Sequence, residues 1–410
     1  MARDDARHDS PTRREYVKYG GAVVAGGLLA GCTDSADAGS SPTESATATN
    51  ADTATESPTP QSDSDGSYTV SMAPMGEVEF ESVPKTVFTR LTHLAGMAFA
   101  LGRGNDVNAM HAPDYYDALW NQFTPRLDGV TLDWSGLYSS WRPSKEKLYE
   151  LDSDVHLADP ASVFALDGWS QADIAEIREN VSPWFGNHFS HRHTAPPDEY
   201  ADRYEYYTLW ELFEKVAQVF RERDRYDALA AIHDDLLATI EAELPAEADR
   251  PTVVMGGFST PTEPYVYNVD APGFLTAHVR PFGLRDAFGD DVSSGDQVDM
   301  EALLEADPDV ILSLGGMHPG TDMAAIREAL EDDPVGQQLS AVQNDRVYAQ
   351  GARYQGPILN LFQLEMTAKQ VFPSQFGEWP TYESGPYPEI PAEEQLFDRQ
   401  RVADVITGDW

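Results

Sequence analysis

Between Asp224 and Leu244 apolar side chains recur at three- and four-residue steps, at Tyr226, Leu229, Ile232, Leu236, Leu237, Ile240 and Leu244. That spacing draws one apolar stripe along a helix. Asp224 can accept the unpaired N–H groups of the first turn, and Pro245 stops the run, so the pattern predicts a helix of about 20 residues, roughly 30 Å long. Leu209 to Phe220 carries a second helical pattern, and a break at Arg221 to Asp224 separates the two. Similar alternations of short apolar runs and amphipathic segments lie on both sides of the long helix, which therefore reads as a spacer between two lobes.

The first of these stretches opens with a hairpin from Tyr68 to Phe80. A strand at Pro84 to Thr89, a helix from His93 to Leu101 closed by Gly102 and a short strand at Asp106 to Met110 follow. A helix from Lys145 to Leu151 then leads into a strand at Asp154 to Ala158. The second stretch has a strand at Arg250 to Met255, a helix and short strand within Gly283 to Val292, a strand at Asp345 to Ala349, and an amphipathic helix from Pro357 to Phe372. Two segments repeat in the same order. Glu146 to Val155 parallels Glu301 to Val310, with carboxylates at Glu146/Glu301, Glu150/Glu305, Asp152/Asp307 and Asp154/Asp309. Asp173 to Glu179 parallels Asp322 to Glu328. Strands alternating with helices predict an α/β fold of two similar lobes with mostly parallel central sheets, joined by the one long helix. The expected divisions are a lobe over 68–223, the connector over 224–245, a lobe over 246–373, and a Pro-, Trp- and Tyr-rich tail over 374–410 that ends in a helix from Leu396 to Ile406. The aromatic residues of this tail require it to lie across the body.

Ahead of the folded body the pattern changes. Arg13-Arg14 precedes a short apolar, glycine-rich run from Gly20 to Ala30 and then Gly31-Cys32, which reads as a twin-arginine export signal over 1–32 with Cys32 as the lipidation site. The run is well short of the roughly 20 apolar residues of a membrane span. Residues 33–67 are mostly Ser, Thr, Ala, Asp, Glu and Pro with no aromatic residue, a composition that predicts a disordered tether. The 69 acidic against 28 basic residues give a net charge of −41, spread along the whole chain. Such a surface excludes nucleic-acid binding by phosphate neutralisation and suits high salt, where screening shortens to a few ångströms. The lone cysteine excludes an internal disulfide.

The Pro84-to-Met110 opening with its Ala100-Leu101-Gly102 helix end, Glu146 to Val155, Leu304 to Ile311, Leu339 to Tyr348 and the last helix of the body together resemble one family. It is the substrate-binding lipoprotein of ABC importers of the iron-siderophore and cobalamin type, with class III periplasmic-binding-protein architecture, in its haloarchaeal form. The likeness spans about Pro84 to Phe372. Asp152-Ser153-Asp154 stands where the first lobe of the family often has a Lys-Pro-Asp turn. The resemblance implies a ligand cleft between the lobes, closed only slightly by ligand because the connector is stiff. It also implies a monomer without a cofactor of its own, lipid-anchored on the extracellular face of the membrane and working with permease and ATPase subunits. An acidic residue on each lobe is expected to dock the permease, and the repeat nominates Glu179 and Glu328.

Ligands of open α/β sheets meet the loops at the carboxyl ends of the strands. Those loops nominate Arg90, Tyr138, Trp141, Arg142, Trp184, Phe185, Tyr265, His318, Arg353 and Tyr354. Aromatic faces can hold a large planar ligand, and guanidinium groups can pair with the anionic oxygens of an iron chelate. The bland alternatives are structural: a cation–π pair for Trp141 with Arg142, a loop staple for Trp184 and Phe185, and helix capping for Arg90 and His318. His188, His191 and His193 cluster in one loop and could bind Zn²⁺ or a haem iron, but a closed site needs further ligands, and the preferred reading is a solvated loop. Capture of free zinc or manganese is the second reading. An exported enzyme is the third, weakened by the absence of Gly-x-Ser-x-Gly, Gly-x-x-x-x-Gly-Lys and His-Glu-x-x-His motifs.

Overall fold

The computed structural model describes residues 66–289 and 291–410. The export signal, Cys32 and the tether up to residue 65 lie outside the described residues, among which no helix is long and apolar enough to cross a membrane. An antiparallel hairpin of β1 (Tyr68–Met72) and β2 (Gly76–Phe80) comes first. The first sheet consists of β3 (Val87–Thr89), β4 (Val107–Met110), β5 (Tyr138–Ser139) and β6 (Val155–Leu157), all parallel, in the order β5-β4-β3-β6. The second is built on β7 (Thr252–Gly257), with β8 (Tyr265–Tyr267), β9 (Arg285–Asp286), β10 (Val310–Ser313) and β11 (Val347–Ala349). Its parallel run is β11-β10-β7. The far edge of β7 is shared, antiparallel β8 covering its end and parallel β9 its start.

The repeated sequence folds into a repeated device. Helix Lys145–Leu151 starts on Ser144 and ends on Asp152 in the left-handed region at φ 46°. Helix Met300–Ala306 starts on Asp299 and ends on Asp307 at φ 37°. The next aspartate then staples two strands: Asp154 Oδ2 accepts from the N–H groups of Lys85 and Thr86 at 2.8 and 3.0 Å. Asp309 Oδ2 accepts from the N–H and hydroxyl of Thr252, both at 2.8 Å. Each carboxylate thus ties the start of one strand to its neighbour, using charge-assisted bonds that are stronger than neutral ones.

The long helix runs Arg223–Glu243. It follows helix Leu209–Phe220 after a break at Arg221, whose φ is 53°, so the two are not one rod. Its N-cap is Glu222, which makes no side-chain cap bond, and Asp224 sits in the first turn rather than at the cap. Leu229, Ile232, His233, Leu236 and Ile240 form its buried stripe. Two expectations need correction. Gly283 to Val292 holds no helix among its described residues, only β9. Gly283 turns through φ 53°, and Asp286 accepts from the N–H groups of Val269 and Phe288 at 2.9 and 3.0 Å, which pins an extended turn. Tyr265, placed in a loop by sequence, lies on β8, where the Tyr-Val-Tyr alternation marks an edge strand.

The third correction concerns helix Pro357–Val371, expected to be amphipathic. All fifteen of its residues are buried. Its carboxylate is met from inside: Glu365 pairs with Arg399 at 2.6 Å and accepts from the Tyr387 hydroxyl at 2.6 Å and the Leu396 N–H at 2.7 Å. The tail is thereby drawn over the body, with Trp379, Tyr382 and Tyr387 buried. The helix enters beside Gly356, where two backbones meet. A Cβ on Gly96, in helix Thr92–Ala100, would come within 2.5 Å of the Trp120 ring and 2.9 Å of Gly356 Cα, and one on Gly356 within 2.7 Å of Gly96 Cα.

Gly96→Ala should destabilise the protein by about 1–3 kcal/mol, the usual cost of forcing a methyl into a filled core. Denaturant midpoints in multimolar salt measure it, and an unchanged midpoint would contradict the close approach. Arg399→Met leaves the Glu365 carboxylate buried without its partner, and a loss of about 3–5 kcal/mol is expected in the same assay.

Candidate functional site

The carboxyl ends of both sheets deliver loops to one seam. From the first sheet, Arg90 follows β3, His111 follows β4, Trp141 lies beyond β5 and Asp159 beyond β6. Arg90 is buried. Its Nε donates to the Trp141 carbonyl at 3.3 Å and a terminal nitrogen donates to Ser162 Oγ at 2.9 Å, while the guanidinium carbon stands 5.1 Å from the centre of the Trp141 ring. Trp141 remains 40% exposed and also lies 4.5 Å from His111. From the second sheet, the loop after β11 presents Arg353, whose guanidinium carbon sits 3.7 Å from the Tyr267 ring centre. An aromatic face with a guanidinium against it therefore stands at the strand ends of each sheet.

The two sets of loops touch. His93 stacks on Phe274 at 4.5 Å and lies 5.8 Å from Tyr354; His188 is parallel to Tyr354 at 6.5 Å. Arg353 lies 2.6 Å from His193 Nε2, and Gly273 packs against the His191 carbonyl so closely that no Cβ fits. At the rim Tyr115 stacks on His318 at 4.1 Å. Behind the second-sheet loops a polar chain runs inward. Trp210 Nε1 donates to Asn360 Oδ1 at 3.0 Å, Asn360 and Gln363 both donate to Gln355 Oε1 at 3.1 and 2.8 Å, and Gln355 Nε2 lies 2.7 Å from His278 Nδ1.

The histidine loop is partly exposed, at Arg192 and Thr194, and is held by bonds to its own surroundings. Asp159 anchors it, accepting from the His188 N–H at 2.8 Å and the Tyr204 hydroxyl at 2.7 Å. Burial raises the Asp159 carboxyl to about 6, against those bonds and the nearby Arg90. His191 Nδ1 is engaged by the His193 N–H at 2.8 Å, and His193 Nε2 by Arg353. Two of the three imidazoles are thus already committed through a nitrogen, and among the described residues no group of three or more His, Cys, Asp or Glu is disposed to hold a metal ion.

Of the residues nominated by sequence, the structure brings Arg90, Trp141, His318, Arg353 and Tyr354 to the seam. Arg142 is exposed beside Trp141. Trp184 and Phe185 are core instead: Trp184 donates to the Ile174 carbonyl at 3.0 Å and Phe185 packs edge-on against Phe80, both with essentially no exposed surface to offer a ligand. Tyr138 packs in the Phe88–Leu148 cluster under Lys147, and Tyr265 pairs with Gln297 at the edge of β8. Glu179 and Glu328 are exposed on the equivalent helices Gln171–Asn180 and Met323–Asp332. Sequence reading missed Tyr115, Phe274 and His278, whereas His93 and Gln355 close the strand-end loops Thr89 to His93 and Ala352 to Gln355 without being singled out there. His93 fits inside an apolar helix run, and Phe274 to His278 lies in a segment without periodicity. Only nearness to a strand end could have marked any of them.

With this geometry the class of the molecule is defined: it is the class III periplasmic-binding-protein fold. A periplasmic solute binding protein from Veillonella parvula DSM 2008 shares 15% identity at a TM-score of 0.53, covering 77% of this chain and 89% of that one. The iron uptake ABC transporter substrate-binding protein PiuA from Streptococcus pneumoniae Canada MDR_19A shares 15% identity at a TM-score of 0.50, over 75% of this chain and all of that one. The sequence profile of the periplasmic binding protein family matches residues 188–354. No curated protein sequence matches.

Burial holds His93, His193 and His278 at about 3 and His111 and His191 at about 4, all below the ordinary 6.5. Across that window the unfolded chain binds protons that the native state does not, so stability rises with pH and is lost on acidification. Asp159, raised to about 6 by burial, acts oppositely, as do Asp106 and Asp286, but His156 and His233, lowered by burial to about 4, and His188 add to the imidazole side. The denaturant midpoint in multimolar salt should therefore fall steadily from pH 6.5 to pH 4; a flat or rising profile would show the imidazoles accessible.

Proposed function

We propose that this chain is the extracytoplasmic solute-binding protein of an ABC importer, capturing a ferric siderophore or a related metal chelate and delivering it to the permease and ATPase subunits. The observation that carries this reading is the guanidinium–aromatic pair at the strand ends of each lobe, Arg90 with Trp141 and Arg353 with Tyr267. Flat rings offer dispersion contact to a large ligand, and the guanidinium groups supply the positive charge that an anionic chelate needs in a chain otherwise dominated by carboxylates. The similarity to PiuA, an iron uptake ABC transporter substrate-binding protein, supports the choice of cargo. A whole chelate is favoured over free zinc or manganese because the described residues offer no convergent set of three metal ligands. Binding, rather than catalysis, fits a seam built from stacked rings and paired cations.

The remaining parts of the proposal rest on sequence. The twin-arginine signal and a lipidated Cys32 would hold a haloarchaeal monomer at the extracellular face of the membrane, with no cofactor of its own. Glu179 and Glu328, exposed on equivalent helices, are the proposed contacts to the permease.

A melting-temperature panel in multimolar salt tests the reading, because a ligand that binds only the native state raises the transition by mass action. Ferric siderophores, cobalamin or haem should raise it, and Arg90→Ala or Arg353→Ala should abolish the shift. A shift with Zn²⁺ or Mn²⁺ alone, and with no chelate, would overturn it.

A further inference from the structure

Contacts of opposite sign meet in the seam. Inside, both ring nitrogens of His93, Nδ1 of His188 and Nε2 of His278 are buried without a hydrogen-bond partner among the described residues. His93 and His278 have no exposed surface at all. Closing the lobes over such nitrogens takes away hydration and returns nothing, so the interior opposes closure. At the rim, Tyr115 from helix Pro113–Trp120 lies flat on His318 from the loop after β10, with 4.1 Å between centroids and 7° between planes. The Tyr115 hydroxyl rests over Gly315, where a Cβ would come within 2.8 Å of it. Gly315 is in the left-handed region at φ 72°.

Both partners are fixed to their own lobe. Asp114 and Asp117, flanking Tyr115, accept from the N–H groups of Gly136 and Trp134 at 2.8 and 2.6 Å. On the other side the Gly315 N–H donates to the Gly351 carbonyl at 2.7 Å, and His318 Nδ1 accepts from the Gly320 N–H at 2.9 Å. At 42% exposure Tyr115 is far less buried than His93 or Phe274, so its contact is the outermost of these cross-seam stacks.

We infer that Tyr115 and His318 form a latch that holds the seam shut against the unsatisfied ring nitrogens of His93, His188 and His278. Resting on the reading of the seam as the binding cleft, this makes closure a balance between rim and interior, not a property of the connecting helix alone. A cargo that presents polar groups to those nitrogens removes the opposing term and shifts the population to the closed form.

The test needs no ligand. Spin labels at Glu179→Cys and Glu328→Cys in the full chain carrying Cys32→Ser report the separation of the lobes by pulsed electron resonance in multimolar salt. Tyr115→Ala and His318→Ala should each raise the ratio of long to short distances roughly two- to tenfold, the worth of an aromatic pair. His318→Phe, which keeps a flat ring, should match the labelled parent. His93→Phe, added to Tyr115→Ala, removes two unsatisfied nitrogens but keeps the stack on Phe274, and should bring the ratio back down. Distances that superimpose in parent, Tyr115→Ala and His318→Ala would overturn the latch, and a further opening with His93→Phe would overturn the opposing interior. Melting curves establish that each variant is folded. Failure of every chelate in the binding panel would sink the proposed function without moving these distances.

Discussion

The contact between Gly96 and Gly356 governs the rest of the molecule. Where most neighbouring elements touch through side chains, these two touch through backbone, with the Trp120 ring closing over both. That approach brings the start of helix Pro357–Val371 against the first helix of the first lobe, leaving it no face toward solvent. A helix buried all round must satisfy its own polar groups, and here they organise the surroundings. Glu365 collects Arg399, Tyr387 and the Leu396 N–H, which brings the tail down. Asn360 and Gln363 collect Gln355, which fixes His278 behind the seam. Buried networks of this kind favour one arrangement because every partly satisfied alternative costs more.

The site obeys a different logic. Stapled at their starts by Asp154 and Asp309, the strands are held at one end, while the loops at the other end are free to carry unlike residues. The first lobe contributes Arg90 and Trp141, the second Arg353 and Tyr267, from different chain positions and by different local routes. Only the guanidinium–aromatic pairing is shared. The histidines serve the same division: His188, His191 and His193 are tied down by Asp159, one another and Arg353, while Nδ1 of His188 stays buried without a bond among the described residues.

How much of this could be read in the sequence follows from the range of the interactions. Periodicity is local, so the connector, the break at Arg221, the hairpin and the repeated helix–turn–strand units were all legible. The aspartates that end those helices and staple the strands were visible as the repeat itself. Burial is not local: nothing in Pro357 to Val371 says that its Glu and Lys are inside, because their partners, Arg399, Tyr387 and Leu396 for Glu365 and the Phe376 carbonyl for Lys369, all follow the helix. The same limit explains Trp184 and Phe185, aromatic residues in a loop that turn inward against Ile174 and Phe80. It also explains His93, whose role depends on Phe274, a residue 181 positions away by number.

The last helix, Arg399–Thr407, has a further consequence. It packs on both the connecting helix and helix Thr92–Ala100, and Arg225 donates to the carbonyls of Val405 and Ile406. A chain made from its N-terminus onward presents that segment only after both lobes have been synthesised. The first lobe therefore has part of its core uncovered until a helix from beyond the second lobe arrives. The cover of the first lobe's earliest-made helix is the part of the body made last.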